Sequence, residues 1–227
     1  MRAKIHGFFF NPVVVILIII ISSLLTYFTG GLGYIFGILM ALTAFWAGRF
    51  KWSEFGIERF NVSNTIIRAV LFAIAIFLGI DLVIQPGVEE FFGPIDLSAL
   101  DGIRGNLVNY LIFLIFMWVV AAFGEEFLYR GFFMKRLAGV MGDTDRSWLI
   151  SAFLISALFG LAHLYQGLSG IITTGLIGLI FSLIFCRNRR NLVLAMLTHG
   201  FYDVIGITLI YLDQDRFFVD LIRSVVG

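Results

Sequence analysis

The chain has 227 residues, of which 60% are hydrophobic and only 14% charged, with a net charge of +1. A soluble domain carries about a quarter charged residues, so this chain has too little polar surface to cover itself in water, and its near-neutral charge gives no reason to expect nucleic acid as a partner. The single cysteine, Cys186, excludes an intrachain disulfide and a cysteine-based metal cluster.

The N-terminus, "MRAKIHGFFFNPVVVILIIIISSLLTYF", is basic and then apolar. It has no small-residue cleavage site and further apolar stretches follow, which predicts a retained first span rather than a signal peptide. A membrane span needs about 20 mostly apolar residues. Seven segments qualify as predicted spans: 8–28, 32–49, 65–84, 107–134, 148–165, 168–186 and 191–212. Backbone groups in lipid must be paired within the segment, so these are read as helices. The fold class is therefore all-α: a polytopic membrane helical bundle of about seven helices, forming one domain over 1–227. Lipid is its expected surrounding. The tail "DQDRFFVDLIRSVVG" reads as a short interfacial helix.

The loops fix an expected orientation. Arg2 and Lys4 precede the first span; Arg49, Lys51 and Arg59 follow the second; Lys135, Arg136 and Arg146 follow the fourth; "CRNRRN" follows the sixth. The alternate loops are poor in Lys and Arg, and one is acidic, with Glu89, Glu90, Asp96 and Asp101. Basic loops stay in the cytoplasm, which places the N-terminus inside and the C-terminus outside. Trp52 and Trp148 fall near the expected interfaces, where belt residues sit. Gly170, Thr174, Gly178 and Ser182 recur every four residues and predict a helix-packing stripe.

Three charges stand inside the fourth span, in "FGEEFLYRGFF". One ionised residue at mid-helix costs about 2.5–3.5 kcal/mol, so Glu125, Glu126 and Arg130 together cost roughly 8–10 kcal/mol before any pairing. Glu126 and Arg130 are four apart and face each other on a helix, as an internal salt bridge would. Glu125 points about 100° away and keeps no local partner. Gly131 leaves room either for substrate or for a packed neighbour.

Two histidines lie in later spans: His163 in "FGLAHLYQG" and His199 in "LAMLTHGFYDV". Singly, such residues are often interhelical hydrogen-bonders. Asp203 follows His199 by four residues, so it shares that helix face and can fix the imidazole tautomer. His6, near the N-terminus, reads as solvated or interfacial. Counted from the cytoplasmic end of each span, Glu125 lies about 15 Å deep, His199 about 12 Å and His163 about 22 Å. A Glu and a His can hold and deprotonate a water, and a second His can hold an oxyanion. The chain has no G-x-S-x-G, so a serine nucleophile has no support. Glu125, His163 and His199 are also residue types that bind zinc, although there is no H-E-x-x-H.

"EEFLYR" fits E-E-x-x-x-R, "FGLAH" fits F-x-x-x-H, and "HGFYD" fits H-x-x-x-N/D. In this order, on three separate apolar segments, the chain resembles the CAAX prenyl endopeptidase and bacteriocin-processing (CPBP, or Abi) family of intramembrane proteases. The resemblance covers about 107–212 as a catalytic core and leaves 1–106 as accessory spans. It implies a glutamate endopeptidase acting without a cofactor, zinc being the alternative. Glu125 would activate water with His163, while His199 and Asp203 would hold the oxyanion. Glu126 and Arg130 would brace the site and touch the substrate carboxylate or backbone, and Phe159 would pack. An ionised Asp203 cannot donate to an oxyanion where the family often has Asn. The substrate would be a membrane-associated protein or peptide, with or without a prenyl group, met in a prokaryotic plasma membrane at a site opening to the cytoplasmic half. Two other readings stay open: a non-enzymatic immunity or scaffold protein of the same fold, and a proton- or cation-coupled transporter. The latter predicts inverted repeats, and none is visible.

Overall fold

The computed structural model describes residues 1–217, 219, 220 and 224. Among these the chain is helical, and its only bridge between extended residues joins Ile57 to Asn191. Helix starts follow local capping chemistry. Asn11 accepts from the N–H groups of Val13 and Val14 and Pro12 occupies the first turn, which starts α2, Pro12–Thr29. It follows the short α1, Arg2–Phe8, and pairs with α3, Gly31–Ala47. Asn61 caps α4, Val62–Phe92. Asn106 caps α5, Leu107–Val140. Thr144 caps α6, Asp145–Leu161, and Asn191 caps α8, Leu192–Tyr211. Between them runs α7, Gly167–Arg187.

Two of these helices are locally widened to i→i+5 bonding. In α4 the wide turns span Phe77–Ile84 and end at Pro86, which lacks the N–H that would continue the α ladder. In α5 they span Met117–Glu125 and Phe127–Met134, where no proline occurs. Such turns often mark functional segments. Here they carry Asp81, Glu125 and Arg130.

All seven predicted spans fall on helices. Five helical stretches are long and apolar enough to cross a membrane: Pro12–Thr29, Val62–Phe92, Leu107–Val140, Leu164–Arg187 and Leu192–Tyr211. Gly31–Ala47 and Asp145–Leu161 have 17 residues each, the short limit for a span. Large apolar side chains such as Val13, Ile67, Leu71, Val119 and Phe153 are exposed around the bundle, the surface expected of an integral membrane protein. Seven of the fifteen residues of the predicted interfacial tail lie outside the described residues.

The loops gather at two ends. At one, Arg136 and His6 meet Glu54, Lys135 donates to the Ser53 carbonyl, Arg189 pairs with Asp145 and the Glu58 N–H donates to the Arg190 carbonyl. All the basic loops are therefore at one end, and His6 is tied down rather than free in solvent. At the other end the Asp96 N–H donates to the Gln166 carbonyl, and Arg104 pairs with Asp213 and Asp215. Trp148 is not a belt residue: its side chain is 2% exposed, packs on Phe185 and donates to Asp143 at 2.6 Å.

Candidate active site

The three helices that carry the motifs converge on a buried ionic cluster. Glu126 and Arg130, both 0% exposed, are joined at 2.7 Å on α5. Arg130 also donates to the Gly178 carbonyl at 2.7 Å and to the Ser182 hydroxyl at 3.2 Å on α7. Its guanidinium lies 4.5 Å from the Phe159 ring centre and 5.6 Å from that of Phe181. The four-residue stripe on α7 is thus more than a smooth packing face. A Cβ at Gly178 would stand 2.7 Å from Phe159 and 2.9 Å from Arg130, so the missing side chain is the room the guanidinium occupies. Each of the three guanidinium nitrogens thus has a partner, which offsets part of the cost of burying the charge.

Glu126 has a second partner that its spacing does not reveal. Its Oε1 lies 3.0 Å from His199 Nδ1 on α8. On the other side of that ring, Nε2 is 3.3 Å from Asp203 Oδ2. A ring with carboxylates at both nitrogens satisfies both only as imidazolium; a neutral ring leaves one contact to a proton on the carboxyl. The aromatic wall of Phe181 stacks on the ring at 4.8 Å.

Glu125 faces elsewhere. It lines a cavity of about 350 Å³ together with His163, His199, Asp203, Asp81 and Phe159. No hydrogen bond reaches its carboxylate among the described residues. His163 stands just beyond the end of α6, and its Nδ1 is 2.9 Å from the Phe159 carbonyl. A carbonyl only accepts, so Nδ1 carries the proton and Nε2 is left as the acceptor. This is the physical content of the F-x-x-x-H spacing: the backbone of Phe159 sets the tautomer of His163, and its ring covers Arg130.

The four expected catalytic residues therefore share one cavity. The expected substrate contacts of Glu126 and Arg130 are corrected: both are fully buried, neither lines the cavity, and their polar atoms are directed at each other, His199 and α7. Gly131 is also settled as packing, since a Cβ there would stand 2.8 Å from Leu192 and 3.2 Å from the Phe55 carbonyl. The loop residues that line the cavity, among them Ile95, Leu97, Leu100 and Gln166, come from the end opposite the basic loops.

Asp81 is the residue the sequence reading missed. It accepts from the Tyr202 hydroxyl at 2.9 Å, and its other oxygen is buried without a partner. It lies in a segment with no motif, but an ionisable residue in the middle of "FLGIDLVIQ" is itself a signal.

The family model for type II CAAX prenyl endopeptidase Rce1-like proteins matches residues 107–205. That segment is Rce1-like. The Rce1-like segment contains Glu125, Glu126, Arg130, Phe159, His163, His199 and Asp203, so the resemblance read from three short motifs and the family match fall on the same segment. Asp81 lies outside it. Comparison with curated proteins and with solved structures finds no match. Over that segment, less than half of the chain, the protein is similar to CAAX-type prenyl endopeptidases.

The donors of the Rce1-like site do not fit zinc as they stand. Both nitrogens of His199 face carboxylates and His163 Nδ1 faces a carbonyl, so of these three expected ligands only Glu125 and His163 Nε2 are left where a catalytic zinc takes three protein ligands besides water. Among the described residues no three His, Cys, Asp or Glu side chains are gathered as a ligand set.

Proposed function

We propose that the cavity hydrolyses a peptide bond with a water activated by Glu125 and His163. The observation that carries this is the Nε2 of His163, left as acceptor by the Phe159 carbonyl, in the same cavity as a Glu125 carboxylate that has no hydrogen-bond partner among the described residues. Glu125 or Nε2 takes the proton as the water oxygen bonds to the carbonyl carbon. The C–O bond electrons move onto oxygen, and His199, held between Glu126 and Asp203, is the group to meet that oxyanion. As the C–N bond breaks, the leaving nitrogen takes the proton back. Asp203 and Glu126 act as positioning residues for His199, and no cofactor takes part. The substrate is a protein or peptide held at a prokaryotic cell membrane, with or without a prenyl group.

The test is cleavage of prenylated and plain peptide reporters by purified protein in detergent, with and without chelator. The wild type should cleave at least one reporter and be indifferent to chelator, while Glu125→Gln and His163→Ala should not cleave. Equal cleavage by Glu125→Gln would remove the reading. A wild type that cleaves nothing would favour the immunity, scaffold or transport alternatives, and rescue of chelated protein by zinc would favour a metal enzyme.

A further inference from the structure

The cavity lies asymmetrically in the bundle. From Glu125 and His199 at mid-depth it extends past His163 to Ile95, Leu97 and Leu100 of the loop before α5, to Gln166 between α6 and α7, and to Asp215 beyond α8. None of its lining comes from residues 48–61, 135–147 or 187–191. Those three segments carry the basic loops, and they are tied together at the other end by Glu54, Glu58 and Asp145. At the cavity's end Arg104 and Arg216 are engaged, the first with Asp101, Asp213 and Asp215 and the second with Glu89. Lys and Arg in short loops hold a membrane protein's basic end in the cytoplasm.

We propose that the active-site cavity is entered from the extracytoplasmic face, and that its substrate is an exported or membrane-anchored chain presented on that side. This rests on the proteolytic reading of the same site. It separates the protein from one that trims cytosolic prenylated termini, because a cytosolic tail cannot reach an outward mouth without crossing the bilayer. The lining chemistry points the same way. Among the described residues the cavity walls hold Asp81, Glu125, Asp203 and Asp215 and neither Lys nor Arg. These four carboxylates disfavour a free terminal carboxylate, so an internal segment, neutral or cationic, is the chemistry that fits.

Sidedness can be read without activity. In a Cys186→Ala background, Ser98→Cys marks the exposed loop beside the mouth, Thr174→Cys marks the cavity wall, and exposed Lys51→Cys marks the basic end. A membrane-impermeant maleimide should label Ser98→Cys and Thr174→Cys in intact cells, with loss of that labelling in inverted vesicles. Lys51→Cys should show the reverse. Labelling of Thr174→Cys from the Lys51 side would overturn the proposal. So would a Thr174→Cys that reacts from neither side while Ser98→Cys reacts from outside, since the cavity would then be closed outward. A tethered reporter completes the test. Cleavage only when the reporter faces the cytoplasm overturns the proposal. If no reporter is cleaved while Thr174→Cys still labels from outside, the proteolytic reading fails and the outward entrance stands.

Discussion

Glu125 and Glu126 are neighbours on one helix and live in different media. Glu126 is locked between Arg130 and His199 through one oxygen, with no exposed surface and no hydrogen-bond partner for its other oxygen among the described residues. Glu125 looks into a cavity and has no hydrogen-bond partner among the described residues. The difference teaches that the cost of charge in lipid is met twice over in this molecule. One carboxylate is neutralised inside the protein, and the other is supplied with space for water. Only the second can do chemistry on something that arrives.

The largest effect should come from the free carboxylate. Glu125→Gln keeps the shape and removes the base, so cleavage of the best reporter should fall by about 10²–10⁴-fold, with the thermal unfolding midpoint in detergent unchanged. If activity and midpoint fall together, the contrast between the two glutamates is lost. Next comes the lock. Arg130→Met leaves Glu126 buried with His199 as its remaining partner, and breaking a buried pair costs about 3–5 kcal/mol. Unfolding in a denaturant series should read a loss near the lower end of that range. Glu126→Gln combined with Arg130→Met should recover part of it, because no unpaired charge remains. A recovered fold with no recovered activity would show that the lock also positions His199.

Gly178→Ala should be milder. The added methyl meets Phe159 and Arg130 at 2.7 and 2.9 Å, and such overpacking costs about 1–3 kcal/mol. The expected signature is a lower unfolding midpoint with a much smaller loss of cleavage than Glu125→Gln causes, because the water-activating residues are retained. No change in either would mean that the guanidinium has slack on the α7 side.

What the sequence discloses and what it hides divide along the same line. Spacing of four on a helix brings two residues together, so Glu126 with Arg130 and His199 with Asp203 are legible directly. So is the helical membrane class, from apolar length alone. Contacts between spans are not. Glu126 and His199 are 73 positions apart, and Asp81 and Tyr202 are 121 apart. No periodicity links such pairs; only the packing of whole helices does. Arg130 hides its reach for the same reason, since Gly178 and Ser182 looked like a packing stripe until the guanidinium was seen to occupy it. The widened turns of α5 were equally invisible, because no proline announces them. The direction of the cavity needed both sources: the charges name the two ends, and the fold shows which end the cavity meets.

The smallest expected effect lies at the mouth rather than the core, and it sharpens the contrast between a lock and a latch. Arg104 ties the loop before α5 to the chain beyond α8 through Asp213 and Asp215. Hydrogen bonds from Arg104 hold the Asp215 carboxyl below its usual range. A carboxyl depressed in the folded state adds stability above its unfolded value of about 3.9, and that stability is lost as pH falls through the lower folded value. Partly solvated pairs of this kind are worth about 0–1 kcal/mol and weaken with salt. Asp215→Asn should therefore lower the unfolding midpoint slightly near pH 7, and the gap from wild type should close below pH of about 4. The fully buried Glu126–Arg130 pair should show no such sensitivity to added salt. If salt erodes both pairs equally, the core is wetter than its burial implies, and Glu126 is as available as its neighbour.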